Sequence, residues 1–161
     1  MNAQIKRAWA KAPVSMFFAT CGGIGHIPGG PGTYAAIVAL PSIWWLSHTI
    51  SPWMHVLVAL GASVLGVYWC EMAGRALEED DSRKIVFDEW AGVWLTLAPF
   101  TALNILELVV GLVAFRIFDM KKPWPVSWAD KNVKGGLGVM LDDVLAAVLA
   151  ALVVFVLRGT L

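Results

Sequence analysis

Two short segments gather the side chains best suited to work on a phosphate: Val86-Phe87-Asp88-Glu89 and Arg116-Ile117-Phe118-Asp119-Met120-Lys121-Lys122-Pro123. Carboxylate oxygens hold a hard cation such as magnesium, while Arg and Lys neutralise charge that builds on phosphate oxygens. Asp88 and Glu89 are adjacent, so on a helix they point about 100° apart. One can then bind metal while the other orients a water or braces a cation. The bland alternative is favourable negative charge at a helix start. Arg116 and Asp119 are spaced i,i+3 and share a helical face. Lys121 and Lys122 follow at once, and Pro123 ends the helix there.

A third acidic vertex, Asp142-Asp143, follows the run Lys134-Gly135-Gly136-Leu137-Gly138 and is expected to open the last apolar helix. Asp88, Asp119, Asp142 and Asp143 form the expected oxygen cage for one or two Mg²⁺ ions. The segment from Gly22 to Thr33 packs six glycines and two prolines into twelve residues before an apolar run. Such a loop can aim backbone N–H groups at an anion, with Thr33 as helix cap and His26 as donor. GK[ST] is missing and no strand precedes, so neither a P-loop nor a dinucleotide fingerprint fits. Glu78-Glu79-Asp80-Asp81 reads as a solvated loop, and Glu71 with Arg75 as an i,i+4 pair. Glu107 is expected to face headgroups and His48 and His55 to flank a turn, all without chemistry.

The elements that position these groups read as membrane helices. Hydrophobic residues make up 58% of the 161-residue chain and charged ones 15%, with a mean hydropathy of +0.69. That is too apolar for an ordinary soluble domain. The net charge is zero and no basic patch interleaves with aromatics, which argues against nucleic acid. No cleavable signal peptide is evident. Cys21 and Cys70 read as small buried apolar residues. Apolar runs cover Ala35 to Ile50, Trp53 to Ala73, Trp90 to Phe115 and Val144 to Leu157. Trp44, Trp45, Trp53, Trp90, Trp124 and Trp128 sit where interfacial anchors belong.

A single crossing from Trp90 to Phe115 would place Asp88 and Asp119 on opposite faces of the bilayer. Pro99 to Asn104 contains a helix breaker and a turn former, so the run is predicted to be a hairpin of helices 88–99 and 104–118. Every Lys and Arg except Arg158 then shares the motif face, which the positive-inside rule assigns to the cytosol. The expected architecture is all-α. It is a single-domain polytopic membrane bundle over residues 1–161. Its parts are an N-terminal interfacial helix from Ile5 to Phe18, two long membrane helices, the short hairpin and a C-terminal membrane helix.

The Pro31-Gly32-Thr33 loop, Val86-Phe87-Asp88-Glu89-Trp90-Ala91-Gly92, Phe115 to Pro125 and Gly135 to Asp143, in this order and spacing, resemble the phosphatidylglycerophosphatase A family. The likeness runs from about residue 15 to the C-terminus. It implies a Mg²⁺-dependent phosphatase of the bacterial inner membrane that converts phosphatidylglycerophosphate to phosphatidylglycerol. The family loop continues Pro-Gly-Thr-x-Gly-Ser where this chain has Pro31-Gly32-Thr33-Tyr34-Ala35-Ala36, so the serine hydroxyl has no counterpart.

The catalytic set expected on this footing is Asp88, Glu89, Arg116, Asp119 and Lys121, with Glu89 activating the water and Arg116 and Lys121 stabilising charge. His26, Gly32, Thr33, Arg116, Lys121, Lys122 and Lys134 are expected to hold the phosphate or headgroup. Asp-x-Asp and His-centred nucleophile motifs are absent, which favours water attack over a phosphoenzyme. A CDP-alcohol phosphotransferase lacks its spaced Asp signature here. A non-enzymatic carrier of a cation or anionic lipid is the other class in contention.

Overall fold

The computed structural model describes residues 3–79 and 82–160, so Asp80 and Asp81 of the expected acidic loop lie outside the described residues. The described residues form eight α-helices, one 3-10 turn and no strand. In chain order they are α1 (Ala3–Lys11), α2 (Pro13–Ala19), the 3-10 turn (Ile24–His26), α3 (Pro31–Thr49) and α4 (Pro52–Leu77). Then come α5 (Phe87–Leu97), α6 (Ile105–Lys121), α7 (Val126–Asn132) and α8 (Gly135–Thr160). Two of them, α4 and α8, are long and apolar enough to cross a membrane.

The predicted hairpin break lies where expected. Residues 98–104 separate α5 from α6, because Pro99 cannot extend the first helix and Asn104 starts the second. Asn104 accepts from the Glu107 N–H at 3.0 Å while Glu107 accepts from the Asn104 N–H at 2.8 Å, a reciprocal capping box. Ser51 caps α4 in the simpler way, accepting from Met54, with Pro52 at the first helical position.

Four expectations are corrected. The single interfacial helix over 5–18 is two helices, because Ala12 leaves helical geometry (φ −143°, ψ 63°) ahead of Pro13. The pieces fold back on α4: Gln4 donates to the Leu77 carbonyl at 2.6 Å. Thr33 is not a cap, since α3 begins at Pro31 with Gly30 at the capping position and no side-chain bond there. The run from Gly135 to Gly138 is not an approach loop but the first turn of α8, so Asp142 and Asp143 sit about two turns inside the helix. Glycine disfavours helix, but here its lack of a side chain brings α8 against α4. A Cβ on Gly136 would collide with the Val67 carbonyl, and its N–H donates to Glu71 Oε2 at 2.6 Å. Close approach of this kind holds helices together where lipid removes the hydrophobic drive.

The fourth correction concerns Glu107, expected at headgroups, while His55 flanks the α3–α4 turn as expected but is buried. Glu107 is 4% exposed and paired with Arg158, and His55 is fully buried with Nε2 accepting from Trp94 Nε1 at 2.6 Å. His48 stays exposed.

The helices leave two polar ends separated by an apolar middle. At one end Val86 N–H donates to the Ala19 carbonyl at 2.8 Å, Gly25 packs on the Lys84 carbonyl, and Glu71 meets Gly136. These contacts tie the segments around 20–33, 71–79, 82–89 and 116–143 into one face. At the other end the Ala102 N–H donates to the Ser47 carbonyl at 2.9 Å and Arg158 reaches the Thr101 carbonyl at 2.5 Å. Between them α5 packs on α3, α4 and α8. Ala39, Ile43, Val93, Leu97, Ala150 and Val154 are fully buried there.

Candidate active site

The first polar end opens into a cleft of about 580 Å³ bounded by the loop 82–86, the start of α5, the end of α6, α7 and the start of α8. Each wall has a local cause. Ile85 N–H bonds the Ser82 carbonyl at 2.8 Å and Val86 is tied to Ala19, which delivers Asp88 and Glu89 in the first turn of α5. Gly32, in the first turn of α3, presses on Glu89, and a Cβ there would collide with its carboxylate. Lys122 takes the left-handed conformation (φ 45°) that closes α6 before Pro123. That turn carries its side chain into the cleft, whereas Lys121 is exposed and outside the cleft lining.

The floor divides into satisfied and idle carboxylate oxygens. Arg116 Nη1 donates to Asp119 Oδ2 at 2.6 Å and lies 3.5 Å from Glu89 Oε1. Lys122 Nζ donates to Asp130 Oδ1 at 2.5 Å and Asp142 Oδ2 at 2.7 Å. Burial pulls the Lys122 ammonium down, but the two carboxylates outweigh it and raise its pKa above the usual lysine range. Asp88, Glu89 and Asp143 each keep one oxygen, Asp88 Oδ1, Glu89 Oε2 and Asp143 Oδ2, buried and without a hydrogen-bond partner. Each of the three can offer an oxygen such that all lie within 4.8 Å of one another. Asp143 is 3% exposed. Converging buried carboxylates with idle lone pairs are costly unless something positive is shared among them.

Of the expected metal set, Asp88 and Asp143 meet Glu89 at the convergent point, while Asp119 bonds Arg116 and Asp142 bonds Lys122. Lys134 lines the cleft as well. His26, Gly32, Thr33 and Arg116 do not, although Arg116 pairs with the lining acids Asp119 and Glu89. His26 Nε2 accepts from Trp9 Nε1 of α1 at 3.1 Å, and burial together with Lys84 lowers its pKa. Asp130, Arg83 and Lys131 are cleft residues that sequence reasoning passed over. The only signal for them was a polar stretch between apolar helices. Cys21 donates to the Val86 carbonyl at 3.7 Å, and burial, then the Glu89 charge, pushes its thiol up to about 12.

A floor of convergent carboxylates flanked by Arg116 and Lys122 suits the transfer of an anionic group under cation control. Comparison with known proteins gives the same direction. The family described as Phosphatidylglycerophosphatase A matches residues 17–158. The Phosphatidylglycerophosphatase A of Escherichia coli (strain K12) is 39% identical over 130 residues, covering 80% of this chain and 74% of its own. The protein of the same name from Haemophilus influenzae is 31% identical over 136 residues, 84% of this chain and 83% of its own. A Bacteroides thetaiotaomicron protein provisionally named a phosphatidylinositol-3-phosphatase is 35% identical over 144 residues, 84% of this chain and 88% of its own. No solved structure matches the chain. With the match spanning every wall of the cleft, the chain belongs to the phosphatidylglycerophosphatase A family.

Proposed function

We propose that this protein is a Mg²⁺-dependent lipid phosphatase. It hydrolyses the terminal phosphomonoester of phosphatidylglycerophosphate to phosphatidylglycerol and inorganic phosphate at the cytosolic face of the bacterial inner membrane. The observation that carries the reading is the meeting of three unpaired carboxylate oxygens, from Asp88, Glu89 and Asp143, beside Arg116. Family membership supplies the substrate class.

The unpaired oxygens fit a hard dication, which ordinarily takes one or two carboxylates and completes its shell with waters and substrate phosphate. Asp88 and Asp143 would hold it, and when bound it supplies neutralisation of charge on the phosphoryl oxygens. Glu89 faces the same point with one free oxygen and takes the proton of the attacking water. The water oxygen bonds to phosphorus as the bond to the glycerol oxygen breaks, and that leaving oxygen recovers a proton from bulk water. Arg116, held at a fixed angle by Asp119, balances charge on the transferring group. Orientation follows from the cations: every Lys and Arg but Arg158 precedes the apolar length of α8 and belongs to segments gathered at the cleft end.

The test is phosphate release by purified protein in detergent micelles containing phosphatidylglycerophosphate. Release that requires Mg²⁺ and stops with chelator is expected. Absence of release, with cation or lipid flux across vesicles instead, would make the protein a carrier and overturn the reading.

A further inference from the structure

Above the carboxylate floor the cleft has a rim of a different character. Arg83, Lys131 and Lys134 all line it. All three are exposed. None has a carboxylate at ion-pair distance among the described residues, in contrast to Lys122 in the cleft, Arg116 beside Asp119 and Lys84 beside Glu79. They come from two unrelated segments, and both are pinned. Arg83 follows Ser82, which is 2% exposed, in a turn closed by the Ile85 to Ser82 hydrogen bond. Lys131 and Lys134 flank the end of α7, whose Val126 and Ala129 are fully buried. The turn beyond it lies on α8 so closely that a Cβ on Gly138 would collide with the Val133 carbonyl. The backbone that carries these three exposed cations is therefore held in place around one opening.

A single phosphomonoester at the floor leaves this rim without a purpose. The lipid of the reading above carries two anions: the terminal monoester and, one glycerol unit away, the phosphodiester that joins headgroup to diacylglycerol. With the monoester on the floor, the diester must leave through the mouth of the cleft. We infer that Arg83, Lys131 and Lys134 form a second anion subsite that binds the phosphodiester. The inference rests on the phosphatase reading. Its chemistry is charge-assisted hydrogen bonding to a singly charged, non-reacting phosphate, which adds binding without changing the reacting bond. It predicts an effect on KM rather than kcat.

The test uses full-length protein in uncharged detergent micelles, so that no anionic surface attracts the rim cations. The R83A/K131A double variant is assayed with phosphatidylglycerophosphate as substrate and inorganic phosphate as competitive inhibitor. Loss of two charge-assisted contacts should raise KM by roughly tenfold or more. The kcat and the Ki for inorganic phosphate, which probes the floor alone, should stay as in the native protein. The charge-conserving R83K/K131R variant should regain most of the native KM. An unchanged KM overturns the subsite, and so does an equal rise in KM and Ki, which would make the rim a general field on the reacting phosphate. If the native protein releases no phosphate, the phosphatase reading fails instead. A control arm uses phosphatidic acid, which has the monoester only: R83A/K131A should leave its KM as in the native protein, and a rise equal to that for phosphatidylglycerophosphate overturns the subsite.

Discussion

The two polar ends of the bundle handle buried charge in opposite ways. At the far end Glu107 is nearly fully buried and every demand is met. It accepts from Asn104 and from Arg158, while Arg158 also donates to Thr101 and lies over the Phe100 ring with 5.2 Å to the centroid. At the cleft end three carboxylates converge, and Asp88, Glu89 and Asp143 each retain an unpartnered buried oxygen. A finished ion pair at a bundle end closes the fold. An unfinished cluster costs stability and persists where it has a ligand to hold. The contrast separates structural from functional charge in this chain better than residue type does, since both ends use Glu and Arg.

The sharpest way to break that contrast is to neutralise one acid at each end. Asp143→Asn and Asp88→Asn should each lower phosphate release by roughly 10²–10³-fold, because each removes a carboxylate charge proposed to hold the cation that neutralises the phosphoryl oxygens. Both should leave the unfolding temperature in detergent unchanged or raise it, since like-charge crowding is relieved. Near-native turnover in both variants would remove the site from the floor of the cleft. At the far end the sign reverses. Arg158→Ala leaves Glu107 buried and unpaired and should destabilise the fold by about 3 kcal/mol. Denaturation in mixed micelles would read this as an earlier midpoint, with turnover per folded molecule as in the native protein.

A smaller effect tests the second layer of the cleft. Gly32 makes no contact with substrate in this scheme, but its missing side chain is the space into which Glu89 fits. Gly32→Ala must displace the Glu89 carboxylate, so kcat should drop by about tenfold with KM nearly constant. A fall in KM-dependent binding alone would assign the glycine loop to the headgroup rather than to Glu89.

How far all this could be read beforehand depends on the range of the interaction. The break between α5 and α6 was legible because Pro99 and Asn104 act on their own neighbours, and so was the acidic opening of α5. The start of α8 was not. Its glycines look like a loop until α4 is present to pack against Gly136, and tertiary contact then overrides propensity. The Glu107 and Arg158 pair joins positions 51 residues apart, and Asp130 gains its meaning only when Lys122 turns toward it. Residue types located the acids and cations that meet in the cleft. Which carboxylate oxygens are satisfied and which stay idle is a property of the packed helices alone.

Cys21 gives the smallest effect and a check on the charge of the cleft from outside it. Its thiol, close behind Glu89, is raised from 9.0 to about 12, first by burial and then by the Glu89 carboxylate. A folded pKa above the unfolded value means the neutral thiol is favoured by folding. Its contribution is complete below about pH 9 and is lost as pH climbs from there toward 12. Alkylation of Cys21 in the folded protein should therefore remain slow at pH 8–9, where an ordinary thiol is substantially ionised. Because Glu89 is the second cause, Glu89→Gln should speed the alkylation modestly, without the large jump that unfolding would give. Cys21→Ser should leave turnover close to native. Rapid labelling of the native protein at pH 8 would mean that Val86 and the α5 start are not held against Cys21, and the placement of Asp88 and Glu89 would fall with them.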